Sequence, residues 1–352
     1  MTKENHDMHW FNFILMVIVP LPSILLVLYL QSTCIVPNIS KNDENIEICN
    51  YYLNKPLLFI NCLFMVNVNI LFWIISLLQN STWLIDPYWT FIPPLINLFY
   101  HFHPNSKGNT NRSNIILLLI FIWAIRLTYS YFRREKWICG EREDWRFTEM
   151  RQQYGKNFWW ISFFVAFVSQ QAMLIGLTLG LWAIHFPDTT KYIKEYTFLD
   201  FIMPIFCLLS IIIAWSADNE LWNFSLIENA NKLNRRKRLW VLNTGLWKYS
   251  RHPNYVGEQM WWWSLGIWGA SVSGHRWILI GPLFNSACMV HVTVLTEQRT
   301  TKNRENSPSG KLEWSNYVLN TSEWLPIPGA GSAMFQTSVI AIVVLAWIAF
   351  LI

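Results

Sequence analysis

Apolar residues in this chain fall in long unbroken blocks, not on alternating faces. Blocks of suitable length occur at 11–30, 57–79, 87–103, 113–132, 157–185, 198–217, 258–273, 277–296 and 333–352. A helix needs about 20 mostly apolar residues to cross the hydrocarbon layer, so each block is expected to span a membrane. The predicted fold is all-α, a polytopic transmembrane helix bundle of about nine spans. Block 87–103 is short and holds Pro93 and Pro94, and 258–296 is divided only near Gly274–Arg276, so both regions are open to a re-entrant or kinked form. Composition agrees: 53% of the 352 residues are hydrophobic and 14% charged, against roughly 25% charged in an average soluble domain. An ordinary water-soluble enzyme is thereby set aside.

The formal net charge is +5, but the basic residues sit in short connectors, where they set topology rather than attract nucleic acid. Connector 133–156 carries Arg133, Arg134, Lys136, Arg142, Arg146, Arg151 and Lys156, connector 218–257 carries Arg235-Arg236-Lys237-Arg238, and 297–332 carries Arg299, Lys302, Arg304 and Lys311. With nine spans these three lie on one face, which predicts a cytosolic N-terminus and an acidic lumenal connector with Asp43, Glu44 and Glu47. The sequon Asn38-Ile39-Ser40 would then be reachable for glycosylation. Six scattered cysteines contain no CxxC pair, so no structural zinc site is expected, and among them Cys34 and Cys49 share a connector and could bridge. The N-terminus lacks the pattern of a cleavable leader, so the first span is expected to stay as a signal anchor.

The densest chemistry lies in Gly245-Leu246-Trp247-Lys248-Tyr249-Ser250-Arg251-His252-Pro253-Asn254-Tyr255-Val256-Gly257-Glu258. Pro253 suits a first helical turn. From there Asn254, Tyr255 and Glu258 share a face at spacings of three and four, and Arg251 and His252 stand at the helix's positive end, a natural anion site. A basic-aromatic cluster before a span is often only an interfacial anchor. An amide and a carboxylate inside a span's first turns are costly there and more often line a cavity.

This stretch resembles the signature of the steroid 5α-reductase / DUF1295 family of membrane reductases. Other segments resemble the family's further motifs: Asp218-Asn219-Glu220-Leu221-Trp222-Asn223-Phe224, Glu141-Arg142-Glu143-Asp144-Trp145-Arg146 with Met150-Arg151, Thr296-Glu297-Gln298-Arg299, Tyr317, Thr321-Ser322-Glu323-Trp324-Leu325-Pro326, and Asp86-Pro87-Tyr88-Trp89 of the uncharacterised branch. The resemblance implies a helical membrane enzyme in which residues 86–330 form the catalytic domain, with N-terminal spans in 1–85 and an added span at 331–352. It also implies that NADPH is held near the cytosolic loops and that a lipid-soluble substrate enters from the bilayer. By resemblance, Asp218, Arg251, His252, Asn254, Tyr255, Glu258, Glu297, Arg299 and Tyr317 would be cofactor-side residues. The arginines would match phosphate charge, and the amide and carboxylate would match ribose or carboxamide groups. No Gly-x-Gly-x-x-Gly is present, so helix ends and loops would have to hold the dinucleotide. The histidine-rich C-terminal segment of steroid 5α-reductases is replaced by Thr296-Glu297-Gln298-Arg299-Thr300-Thr301, and steroid specificity is not carried over.

Hydride delivery to an activated double bond needs a donor for the developing oxyanion. The catalytic candidates are Asp86, Tyr88, Arg126 and Tyr129. Arg126 lies inside a span, an expensive position, with Asp86 as a possible partner; helix packing and helix capping are the plain alternatives. The expected function is NADPH-dependent reduction of a carbon–carbon double bond in a sterol-like or polyprenoid molecule, with the endoplasmic reticulum as the default location. The rivals are an S-adenosylmethionine-dependent methyltransferase of the isoprenylcysteine type, whose helix also reads Arg-His-Pro-x-Tyr, and a non-catalytic lipid-binding protein. Arg235-Arg236-Lys237-Arg238 is expected to anchor to anionic lipid, and Trp261-Trp262-Trp263 to pack its span. His101 and His103 are not expected to bind metal.

Overall fold

The apolar blocks among the described residues fold as helices. A computed structural model describes residues 3–34, 44–187, 196–234 and 238–325. Fourteen α-helices lie among the described residues: α1 Lys3–Ile18, α2 Leu21–Thr33, α3 Glu44–Asn54, α4 Pro56–Phe64, α5 Ile70–Gln79, α6 Ile85–Phe102, α7 Thr110–Arg134, α8 Trp145–Tyr154, α9 Phe158–Ser162, α10 Ser169–His185, α11 Leu199–Leu233, α12 Pro253–Ser273, α13 Ile280–Lys302 and α14 Pro308–Asn320. No β-strand occurs among them; a single parallel bridge joins Ser250 to Ser322. Among the described residues, six helical stretches are long and apolar enough to cross a membrane: His9–Thr33, Pro56–Gln79, Thr110–Arg134, Trp145–His185, Leu199–Leu233 and Arg276–Lys302. The blocks at 87–103 and 258–273 are helical too, as α6 and α12, but are not among those six. The block at 333–352, the sequon at Asn38, Asp43 and the basic Arg235-Arg236-Lys237 fall outside the described residues.

The chain divides into two compact units, Met1–Tyr196 with Val272–His275, and Thr197–Ser271 with Arg276–Ile352. In the first, α6 packs along α7 and against α10, and runs unbroken through Pro93 and Pro94. Polar caps start two of its helices: Asn109 accepts from the N–H of Asn111 at 3.0 Å and of Arg112 at 3.3 Å, and Asp144 accepts from that of Arg146 at 2.9 Å, filling donors a helix start leaves open. Helices α1 and α2 belong to this packing. Met16, Val19 and Leu30 are buried, Asn12 donates to the Cys139 carbonyl at 3.0 Å and accepts from Gln79 at 2.8 Å, and Asn67 donates to the Val19 carbonyl at 2.7 Å.

Two π turns, Met65–Asn69 and Phe163–Val168, interrupt the helical runs of this unit. Such turns insert a residue and re-aim the side chains that follow. Here Asn69 and Gln171, at and just beyond the two turns, meet at 2.8 Å. A disulfide joins Cys34 to Cys49, with 5.4 Å between their Cα atoms.

In the second unit, α11 has 35 residues, about 52 Å of helix at 1.5 Å per residue, well beyond a hydrocarbon core of roughly 30 Å. Its polar half, from Asp218 onward, therefore has to project past the apolar layer. At its start Asp200 is buried and binds the Thr197 N–H at 2.6 Å and the Trp268 indole at 2.8 Å, locking α12 to α11. At Gly257 an added Cβ would come within 2.7 Å of the Ala214 Cβ and 2.9 Å of the Ser210 carbonyl oxygen, so only glycine permits the approach of these two helices.

Candidate functional site

The signature segment folds as a short 3-10 turn, Gly245–Lys248, followed by α12, with Pro253 at the helix start. Gly245 takes φ +58°, and a Cβ there would fall on the Glu220 carboxylate, which instead accepts the Leu246 N–H at 2.9 Å. Trp247 is buried, and its indole donates to the Ala217 carbonyl at 3.1 Å. The turn is thus fastened to α11 just where that helix becomes polar.

Arg251 forms the centre of a knot. Its Nε and Nη2 bind the two Glu297 carboxylate oxygens at 2.7 and 3.1 Å, and its Nη1 donates to the carbonyls of Val318 at 3.1 Å and Thr321 at 2.6 Å. The side-on fork is the strong geometry for an arginine–carboxylate pair. Its backbone N–H reaches the Ser322 carbonyl at 2.8 Å, and Glu323 Oε1 lies 3.9 Å from Nη2. His252 Nε2 is 3.0 Å from the same Glu297 oxygen, and its ring stacks on Tyr255 with centroids 5.0 Å apart. The Tyr317 hydroxyl donates to the Trp247 carbonyl at 2.6 Å. One turn along, Asn254 donates to Asp218 at 3.3 Å.

Of the nine cofactor-side candidates, Arg251, His252 and Glu297 are therefore joined in one hydrogen-bonded cluster, Tyr255 stacks on His252, Tyr317 fastens the preceding turn through the Trp247 carbonyl, and Asn254 and Asp218 form an adjacent pair. Asn254, Tyr255 and Glu258 are half-buried on α12. Arg299 follows Glu297 by two residues on α13. The Arg251 guanidinium, expected opposite phosphate, is directed at Glu297 and two carbonyls.

The four catalytic candidates all lie in the first unit. Tyr88 is 2% exposed, and its hydroxyl donates to Gln171. Tyr129 is exposed, with Arg133 over its ring at 5.2 Å. Both line an apolar cavity of about 600 Å³. Arg126 is buried within α7. Asp86, half-buried at the start of α6 and ahead of its apolar stretch, has a carboxyl pushed up to about 7. Burial is the main cause and the neighbouring Asp144 charge adds to it, while Arg134 and Arg146 act in the opposite direction. In the connector beside it, burial works to raise the Asp144 and Glu135 carboxyls, but hydrogen bonds from Arg146 to the former and from Arg142 and Arg134 to the latter hold them below the usual range. Glu143 accepts from the Thr82 N–H at 2.7 Å and from Arg151 at 2.6 Å, tying the connector to the start of α6.

Sequence reasoning passed over Asn61, Asn69 and Gln171, which form a buried amide chain behind Tyr88. Amides within apolar blocks are a legible signal, since hydrocarbon leaves them few partners. It also passed over Glu220 and the carbonyls of Val318 and Thr321, whose roles no spacing announces. Trp261, Trp262 and Trp263 are buried in the second unit. Arg238, the described member of the basic run, pairs with Glu228 at 2.7 Å. His103 uses one ring nitrogen for the Tyr52 carbonyl and the other for the Asn105 N–H, both at 3.1 Å.

Residues 72–320 match the family model described as a protein of unknown function, DUF1295, and the chain belongs to that family. It is 25% identical over 235 residues to an uncharacterised protein of Schizosaccharomyces pombe, covering 63% of this chain and 67% of the other. No solved structure matches it.

Proposed function

We propose that this protein is a multi-pass membrane reductase that uses NADPH to saturate a carbon–carbon double bond in a sterol-like or polyprenoid molecule. The observation that carries the reading is the meeting of residues from α11, the 245–258 segment, α13 and α14 around the head of α12, where Asn254, Tyr255 and Glu258 are half-buried. Asn254, Tyr255 and Glu258 suit the hydroxyl and amide groups of a ribose and a carboxamide. Arg251 is a positioning residue: paired with Glu297 and the 318–321 carbonyls, it holds His252 and the start of α12 in place. Arg299, two residues beyond Glu297 on α13, is the cation proposed for phosphate. Held there, NADPH would supply the hydride. Asp86, whose carboxyl burial pushes up to about 7, is the candidate proton donor.

One observation favours a second reading, the S-adenosylmethionine-dependent methyltransferase. With Arg251 paired to Glu297, that guanidinium is engaged within the protein, which suits a cofactor lacking a pyrophosphate better than a dinucleotide. Equilibrium binding to the detergent-purified protein separates the two. Saturable NADPH binding, weakened at least about tenfold by Glu258→Ala, supports the reductase. Saturable S-adenosylmethionine binding without NADPH binding replaces it with the transferase, and binding of neither favours the non-catalytic lipid-binding protein.

The proposed orientation keeps the N-terminus in the cytosol and the connector after the first span in the lumen of the endoplasmic reticulum. The Cys34–Cys49 bond supports it, since disulfides persist in oxidising compartments.

A further inference from the structure

The cavity of the first unit opens sideways. Phe121, Ile125 and Tyr129 line it at four-residue steps along α7, with Val17 of α1 and Leu21 of α2 also in the wall. All five are exposed, Ile125 at 66% and Val17 at 47%, so the cavity is a groove on the outer side of spanning helices. From Phe121 to Tyr129 is about 12 Å of helix, close to the roughly 15 Å that one leaflet contributes to a hydrocarbon core.

The end of the groove past Tyr129 is basic and aromatic. Trp137 lines the groove there and is 56% exposed; its ring meets Tyr129 edge-on at 5.7 Å and stacks on Phe132 at 6.1 Å. The Arg133 guanidinium stands over the Tyr129 ring at 5.2 Å, and Lys136, next to Trp137, is exposed. Between Arg133 and Arg142 four basic residues stand against two acids, Glu135 and Glu141. Glu135 is held by Arg134 at 3.1 Å and by Arg142 at 2.9 Å, so it does not cancel the charge of Arg133 and Lys136.

This rim is held in a costly shape. Lys136 and Trp137 take φ +54° and +61°, a left-handed backbone that residues with a Cβ rarely adopt. The Trp137 N–H bonds to the Phe132 carbonyl at 2.8 Å. Two residues on, α1 grips Cys139 from both sides: His9 Nδ1 accepts its N–H at 2.9 Å, and Asn12 donates to its carbonyl at 3.0 Å. An added Cβ on Gly140 would fall 2.4 Å from the Asn12 amide nitrogen. The surroundings thus fix Lys136 and Trp137 at the groove's end, a conformation that pays only if something uses it.

We propose that the groove seats one phospholipid with an anionic headgroup, its acyl chain along α7 and its headgroup phosphate at Lys136 and Arg133. Charge complementarity selects this occupant. A net-neutral lipid fills the hydrocarbon part equally well and gives the two cations less counter-charge. In the proposed orientation the connector 133–156 faces the cytosol, and the cytosolic leaflet carries the anionic lipids. The occupant is a bound lipid and not a substrate, so the inference stands or falls independently of what the second unit binds.

The test uses the full chain in detergent with phospholipids that carry a diazirine in one acyl chain, phosphatidylserine compared with phosphatidylcholine of identical chains. At low salt phosphatidylserine is expected to label at least about fivefold more strongly, with adducts on α1, α2 or α7. The ratio is expected to fall toward one as salt rises to about 0.5 M and shortens the screening length. The double variant Arg133→Gln with Lys136→Asn, the asparagine chosen because it tolerates a left-handed backbone, is expected to bring the ratio within about twofold and to leave phosphatidylcholine labelling unchanged. Equal labelling at low salt, adducts absent from those three helices, or a ratio unmoved by the double variant would each overturn the proposal. Displacement of phosphatidylserine by inorganic phosphate as readily as by unlabelled lipid would overturn it too, by showing an ion site without a chain groove. A ratio indifferent to salt in the wild type overturns it even if the variant fails to fold.

Discussion

The Arg251 guanidinium bonds to Glu297 on one side and to the carbonyls of Val318 and Thr321 on the other. Removing it leaves a carboxylate and two carbonyls short of donors in a half-buried place, so Arg251→Ala is expected to cost roughly 3 kcal/mol of stability, read as a lower melting temperature in detergent. A variant that melts normally and loses only NADPH affinity would return Arg251 to the phosphate role. Asp86 makes a second prediction at this scale. Its native pKa of about 7 lies above the roughly 3.9 of an unfolded aspartate, so between those values the native state holds more protons than the unfolded one. The stability owed to Asp86 is therefore complete below about pH 4 and lost as pH rises through 7. Asp86→Asn is expected to raise the melting temperature by a few degrees at pH 8 and to leave it nearly unchanged at pH 4; equal effects at both would show that the carboxyl is not protonated in the native state.

For the elements, the apolar blocks were legible because a helix is the form that satisfies its own backbone groups in hydrocarbon. Eight of the nine expected blocks fall on described residues, and all eight are helical. Less legible was where helices come closest. Gly257, read only as a letter in a motif, sets the contact of α12 with Ala214 and Ser210 on α11. Gly257→Leu is expected to force these helices apart at about 1–3 kcal/mol and to weaken any nucleotide binding at the head of α12; unchanged melting would show that the helices have room to separate. The π turns were not legible either. They bring Asn69 and Gln171 together from positions 102 apart, and nothing local in either block requires the partner.

In the whole molecule, the Cys34–Cys49 bond closes a loop across 15 positions, and a loop of that length is worth about 3 kcal/mol in the chain-entropy account. Thiol labelling of intact microsomes with a membrane-impermeant maleimide, before and after reduction, checks both the bond and its side. The expected outcome is no labelling of the pair until reductant and lumenal access are both supplied; labelling from the cytosolic face would reverse the proposed topology. The sequence by itself determined that the chain is helical and membrane-embedded, because block length and charge placement answer to the bilayer and not to any neighbour, and it picked out the head of α12 because polar residues are rare enough there to stand out. Only the tertiary structure decided what those polar groups touch. A guanidinium and a phenol carry the same chemistry wherever they stand, and whether it is spent on Glu297 and Gln171 or kept for a ligand depends on side chains that distant parts of the chain bring within 3 Å.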